Sequence, residues 1–424
     1  MAVSRLARLA AAAPVPVFAA LGAGARGPVE ELTLSDDVTL VDSPRHATVL
    51  LVVGAVPRSL IRPLSQVHDQ LAHPRATAWW SSEEATLDPL PQATLIRAES
   101  DVVLAVGGLH AALLRGERAS ELDVLPDEPA NPWRGLGANG QGGEGMMGGT
   151  PYGRPMAMTG EDRDGLPLDQ LHLRLGPFLP AFPAGLVLDT VIQGDVLQEC
   201  AVVGNPFERD ELLGGALTAT PPDPERTLAA MERARARHHL HGVARTLRLH
   251  GLDALARRTL ALAMAPPDDG DRVRYLAHRL ERSTALRWAT EGVGRIDPSA
   301  AEVVGGIVAR AAGWSSDARS DDPVYAELGF TPIFRHGSDA QARWRQRLAE
   351  AAQALDLAAA AGERRSDGAA LELPWGDDDA DRRLLDLLPG LLTGQELGDA
   401  MTTLDSLDLD LERVARAVAR TERA

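Results

Sequence analysis

Four groups of residues have types and spacings that could do chemistry. His238, His239 and His241 fall within four residues, and a helix would set His238 and His241 on one face. Zinc needs more than two imidazoles, and no Cys or carboxylate stands beside them in sequence. They are therefore expected to be a solvated or helix-packing set. Asp377, Asp378, Asp379 and Asp381 could attract a divalent ion, but the run lacks the spacing and the glycine of a calcium loop. It reads as a solvated loop. Gly135-Leu-Gly137-Ala-Asn-Gly140 matches G-x-G-x-x-G. That motif holds a pyrophosphate only when it follows a strand and opens a helix. Here it follows Pro132-Trp133 and runs into more glycine, which argues against dinucleotide binding. The charged stretch Glu161-Asp162-Arg163-Asp164 either pairs with a neighbouring segment or lies exposed.

Several chemistries are excluded outright. All 43 basic residues are Arg, so a P-loop of the usual form is absent. There is no G-x-S-x-G elbow and no H-E-x-x-H pair. The one cysteine, Cys200, rules out a disulfide within the chain and any Cys-rich metal or iron–sulfur site. The net charge of −17 opposes binding to nucleic acid or directly to an anionic lipid surface. A docked protein partner remains open. Arg in place of Lys fits a GC-rich genome, often actinobacterial.

The 424 residues suffice for two or three domains, and 45% hydrophobic with 24% charged is ordinary for a soluble globular chain. The first residues imitate a secretory signal, though Pro14 and Pro16 interrupt the Ala-rich stretch. No apolar run reaches membrane-spanning length. Residues 46–57 are an apolar β-run, followed by an amphipathic helix from about Ser59 to Leu71. Strands are expected at 76–80, 93–98 and 101–108, and strands alternating with helices suggest a parallel α/β sheet. Residues 126–165 are rich in Gly and Pro without periodicity, hence a loop or linker. The stretch 176–200 reads as a hairpin turning at Gly194-Asp195. Helical periodicity follows over 224–263, 270–292, 298–312 and 338–361, and two further helices fit 382–422.

The order of these segments resembles two subunits fused in one chain. They are the iron–sulfur small subunit and the large subunit of respiratory complex I and the membrane-bound [NiFe] hydrogenases. Residues 17–31, VFAALGAGARGPVEE, resemble the small subunit's Gly-Cys-x-Gly-Cys loop: Gly24, Gly27 and Glu31 match, while Ala25 and Pro28 stand at the cysteine positions. The strand that ends at a third cysteine in the family here ends Trp79-Trp80-Ser81. DVVLAVGG matches the strand before the family's Pro-Gly-Cys-Pro turn, with Gly108 at the cysteine. The hairpin resembles the large subunit's first hairpin, whose tip carries a histidine facing quinone. Gly176, Pro177, Pro180 and Gly185 keep that frame, and Leu179 and Phe182 occupy the histidine neighbourhood. The longest match is 292–358. Gly305, Arg310, Ala311, Gly313, Asp317, Arg319, Pro323, Tyr325, Gly337, Asp339, Arg345, Arg347 and Glu350 follow the large-subunit pattern there. Residues 399–416 resemble the family's closing helix. The [NiFe] Cys-x-x-Cys pairs are missing, and so is the quinone-facing tyrosine expected near 226.

The resemblance implies an α/β plus α+β fold. A flavodoxin-like small-subunit domain would span 1–125, a Gly/Met-rich junction 126–170, and a mostly helical hydrogenase-large-subunit-like domain with an N-terminal β-hairpin 171–424. It further implies a cofactor-free structural or coupling subunit, peripheral on the cytoplasmic face of a membrane through antiporter-like subunits. No catalytic residue, metal ligand or cofactor is expected. The alternatives are a redox subunit using quinone or partner-held cofactors, and an assembly factor. In the junction, Met146, Met147, Tyr152 and Arg154 could thread into the vacated cavity between the halves, or the segment could be a disordered linker.

Overall fold

Val49–Val53 is a run of Val and Leu buried along its whole length, as the centre of a parallel sheet covered on both faces requires. The computed structural model describes residues 13–81, 92–126, 158–161, 165–208, 210–215, 227–365 and 379–421, with 10 and 90. Strands β1 (Val15–Leu21), β2 (Val38–Leu40), β3 (Val49–Val53), β5 (Ala76–Ser81) and β6 (Thr94–Arg97) form one parallel sheet, ordered β2-β1-β3-β5-β6. Helices α1 (Arg26–Leu32), α2 (Ile61–Gln70) and α3 (Val102–Arg115) belong to this layer. A short β4 (Val56–Pro57) pairs with β11 (Leu212–Leu213).

The expectation of a strand over 101–108 is overturned, because α3 occupies this stretch. The Asp101 carboxylate accepts the Leu104 N–H at 3.0 Å, capping the helix, and Gly116 at φ 71° ends it. Val102, Val106, His110 and Leu113 are buried, a spacing of three and four that local β-propensity conceals.

A second sheet is antiparallel, ordered β10-β9-β8-β7. Its strands are β7 (Met158–Glu161), β8 (Pro167–Leu175), β9 (Leu188–Gln193) and β10 (Val196–Val202). Gln193 pairs with Val196 around the Gly194-Asp195 turn, as the sequence suggests. The rest is helical: α4 (Leu228–Leu249), α5 (Asp253–Met264), α6 (Asp271–Glu281), α7 (Thr284–Thr290), α8 (Pro298–Val304), α9 (Gly306–Ala311), α10 (Pro323–Glu327) and α11 (Ala340–Ala361). The closing stretch holds three helices rather than two: α12 (Ala380–Leu392), α13 (Leu397–Leu407) and α14 (Leu411–Thr421). Left-handed Asp408, at φ 57°, separates the last two.

One apolar core lies where α12 and α13 meet the second sheet, and another among α4, α5, α6 and α11. The 176–187 loop joins two cores. Phe178 packs into the first sheet's core, and Phe182 into the core of the second. No helix among the described residues is long and apolar enough to cross a membrane.

Gly54 has φ 77°, and a Cβ there would lie 2.0 Å from the Ala23 carbonyl oxygen. Gly54→Ala is expected to lower stability by about 3 kcal/mol or more, read from urea unfolding.

Candidate functional site

In an open parallel sheet, ligands bind beyond the carboxyl ends of strands, where successive crossovers leave in opposite directions. Here that point lies between β1 and β3. The backbone closes it. Ala23 N–H donates to Ala55 O at 2.6 Å, Ala55 N–H to Ala23 O at 3.3 Å, and Gly22 N–H to Val53 O at 2.8 Å. A Cβ on Gly22 would stand 2.4 Å from Ala55 O, so glycine permits this approach.

The positions matched to cluster cysteines are placed as follows. Ala25 is wholly buried at the start of α1, and Pro28 is half-buried within that helix. Ser81 is buried at the end of β5, where its hydroxyl donates to Gly215 O at 3.1 Å and accepts Gly215 N–H at 2.7 Å. Ala25 and Ser81 therefore share the carboxyl edge of the sheet. Gly108 does not. It lies on the exposed side of α3 with open space where a Cβ would be. An iron–sulfur cluster needs thiolates, and Cys200 stands on β10 in the other sheet. These residues do not fit the group. At the hairpin, Phe182 is 2% exposed and fills the core, whereas Leu179 is 36% exposed and fills nothing. Met146, Met147, Tyr152, Arg154 and the Gly135–Gly140 motif lie outside the described residues.

The charged groups that do converge are held mainly by α4. Glu232, Arg235, His239 and Thr246 recur every three, four and seven residues on one face; His238, His241 and Arg245 form a neighbouring stripe. Asp408 is the meeting point. Its Oδ1 takes Arg26 Nη1 at 3.1 Å and also Arg245 Nη2. Its Oδ2 takes His238 Nε2 at 3.0 Å and Arg347 Nη1 at 3.2 Å. Arg245 Nη1 also donates to Glu30 Oε1 at 2.8 Å, and Glu30 Oε2 meets His241 Nδ1 at 2.5 Å. Thr246 donates to Asp405 at 2.6 Å. Gly242 gives Arg347 its passage across α4, since a Cβ there would be 3.1 Å from the guanidinium.

A second array continues along the same helix. Arg310 grips Glu350 with two bonds, Nε to Oε1 at 2.6 Å and Nη2 to Oε2 at 2.9 Å. Gln346 donates to Glu350 at 2.7 Å, and His239 Nε2 stands 3.2 Å from it. Asp317 bridges Arg310 and Arg319, and Arg319 reaches Glu232 at 3.3 Å. Tyr325 OH donates to Glu232 at 2.5 Å. Between the two arrays is a cavity of about 20 Å³ lined by His238, His239, Arg347, Asp381, Asp408 and Arg413. It is large enough for about one water. His239 Nδ1 is enclosed without a hydrogen-bond partner among the described residues.

Burial opposes the charge on Asp408, but Arg245, Arg347 and His238 override it and hold the carboxyl well below its ordinary range. Glu350 is held low against burial by Arg310 and His239. Burial pushes His238 down to about 3, despite Asp408, leaving a neutral ring. Burial and Asp410 raise Glu412 to about 7; its carboxylate also accepts the Gly24 N–H at 2.9 Å. No group of three metal-ligating side chains occurs among the described residues. What this arrangement can do chemically is hold charge and protons inside the fold and fasten the sheet layer to the helices.

The three histidines thus pack a helix, as expected, but inside an ion network rather than in solvent. Asp381 departs from the solvated-loop expectation, being buried against Arg413 at 2.9 Å. Glu30, Asp405 and Asp408 were missed. The polar side chains of α4 show where they dock, through His238, His241, Arg245 and Thr246, but nothing in their own segments marks the acids.

Asp408→Asn leaves three guanidiniums short of a buried counter-charge and is expected to cost about 3–5 kcal/mol in chemical unfolding. The Glu412 proton gives a pH signature. Its folded pKa exceeds the unfolded value, so its contribution is full below about 4.5 and is lost as pH rises toward 7. Glu412→Gln should flatten the fall in stability across that window, measured by urea titrations at several pH values.

Residues 270–373, roughly a quarter of the chain, match the family model described as respiratory-chain NADH dehydrogenase, 49 Kd subunit. Arg310, Asp317, Arg319, Tyr325, Arg347 and Glu350 of the buried arrays fall inside the matched range. No curated protein matches the chain. The large-subunit part of the resemblance is what this match supports, and it suggests an assembly of the complex I and hydrogenase type.

Proposed function

We propose that the protein is a cofactor-free structural or coupling subunit of a complex I-like membrane assembly. The observation that carries this reading is the combination of a family match on the charged helical core with a sheet edge that offers Ala25, Pro28 and Ser81 but no thiolate. An iron–sulfur cluster cannot be held by those groups. At the switch point, backbone pairing between Ala23 and Ala55 takes the place of a crevice. The ion network around Asp408 would then keep the geometry of a redox pair without its electron path.

Docking is assigned to the outer half of the second sheet. Leu171 and Leu173 are exposed on one face there and Met158 and Leu168 on the other, and exposed apolar groups on both faces of a sheet edge favour a covering partner. The occupant on this reading is an antiporter-like membrane subunit. The net charge of −17 favours a protein intermediary over direct contact with anionic lipid. The protein would sit on the cytoplasmic face through that partner.

Affinity purification from native membranes tests the proposal. Stoichiometric recovery of antiporter-like membrane subunits, with no iron, nickel or acid-labile sulfur in the chain purified alone, is the expected outcome. A chain that carries a cluster signal by paramagnetic resonance would establish the redox alternative instead. Recovery only as a soluble protein without membrane partners would end the docking assignment.

A further inference from the structure

A second cavity shares no lining residue with the one at Asp408. It is a groove of about 510 Å³ between α6, α11 and the segment 331–335. That volume is in the range of sites for small organic molecules. Its apolar wall includes Ala277, Leu348, Ala349 and Ala352, and its charged wall includes Arg335 and Arg345.

The charges here do not cancel. Arg274 is committed to Asp356 and Asp271, and Asp356 also accepts the Gly270 N–H at 2.9 Å. Arg345 Nε is 3.9 Å from Glu281, too long for a hydrogen bond, and its Nη1 donates to Gln341 at 3.2 Å. The Arg335 guanidinium has no hydrogen bond or ion pair with any described residue, and its Nε is enclosed. Gln353 Oε1 is likewise enclosed and unpartnered. Two guanidiniums thus face one distant carboxylate, in a chain whose overall charge is strongly negative.

The wall that presents Arg335 is pinned at several points. Arg335 N–H donates to Arg310 O at 2.8 Å, and Gly337 N–H to Ala311 O at 3.0 Å. Gln346 donates to Ile333 O at 2.5 Å and Gln353 to Thr331 O at 2.7 Å. The pinned backbone and the enclosed Nε limit how far the Arg335 fork can move, which lowers the ordering cost of gripping a phosphate or carboxylate.

We infer that this groove binds a small organic oxyanion, with its phosphate or carboxylate on Arg335 and Arg345 and its apolar body against Ala277, Ala349 and Ala352. The assignment does not depend on the proposed function, since a subunit with or without redox groups could carry it.

Phenyl phosphate and benzoate present the two oxyanions on the same ring, and phenol supplies the ring without a charge. Calorimetric titration of the full chain should give saturable one-to-one binding of at least one of the two anions, with none for phenol. The stronger arm identifies the head group. Arg335→Gln should weaken binding about tenfold or more, in line with loss of a charge-assisted bond, while leaving the thermal midpoint unchanged. Ala349→Phe fills the apolar part of the groove while keeping both guanidiniums in the sequence and should abolish binding, which covers the case in which Arg335→Gln does not fold. Absence of saturable binding at millimolar anion, or binding indifferent to both substitutions, would overturn the inference.

Discussion

A carboxylate taken out of water must be surrounded by cations and donors, and Asp408 sets that requirement at the centre of this protein. It is met by Arg26 from the sheet layer, by His238 and Arg245 from α4, and by Arg347 from α11. Arg26 and Asp408 are 382 residues apart in sequence. Such a cluster is weak evidence for net stability, because desolvation offsets much of the attraction. Its consequence is registry. Moving the sheet layer against the helices would strand charges in a medium of low dielectric, so few alternative packings remain open.

The absence of lysine bears on this. Guanidinium stays charged in the interior and offers several donors in a fixed plane, so one Arg can serve two carboxylates. Arg245 does so between Glu30 and Asp408, and Arg319 between Asp317 and Glu232. Glycine completes the arrangement where space is short, at Gly242 beneath Arg347. Arg310, Asp317, Arg319, Arg347 and Glu350, which take part in these buried pairs, lie within the range matched to the family model.

Much of the architecture was legible because burial imposes periodicity. The β-runs at 46–57 and 76–80 show burial as nearly unbroken apolar stretches, and the hairpin turning at Gly194-Asp195 shows it as apolar residues set among polar ones. In 101–108 Val and Gly suggest a strand, because the three-and-four spacing of the helix emerges only when the pattern is followed on to His110 and Leu113. The final stretch was read as two helices because Asp408 was not recognised as a left-handed break. Asp reaches that conformation more readily than most residues, but only its partners keep it there.

Cysteine count alone determined that this chain cannot supply the several thiolates of an all-cysteine iron–sulfur or nickel–iron site, whatever the fold. Hydropathy patterning likewise determined an α/β beginning and a helical end. Which acid meets which arginine was decided only in three dimensions. Glu30, Asp405 and Asp408 resemble surface carboxylates in sequence, and nothing local marks them as buried. Their role follows from contacts between segments hundreds of residues apart, and such contacts leave no periodic trace along the chain.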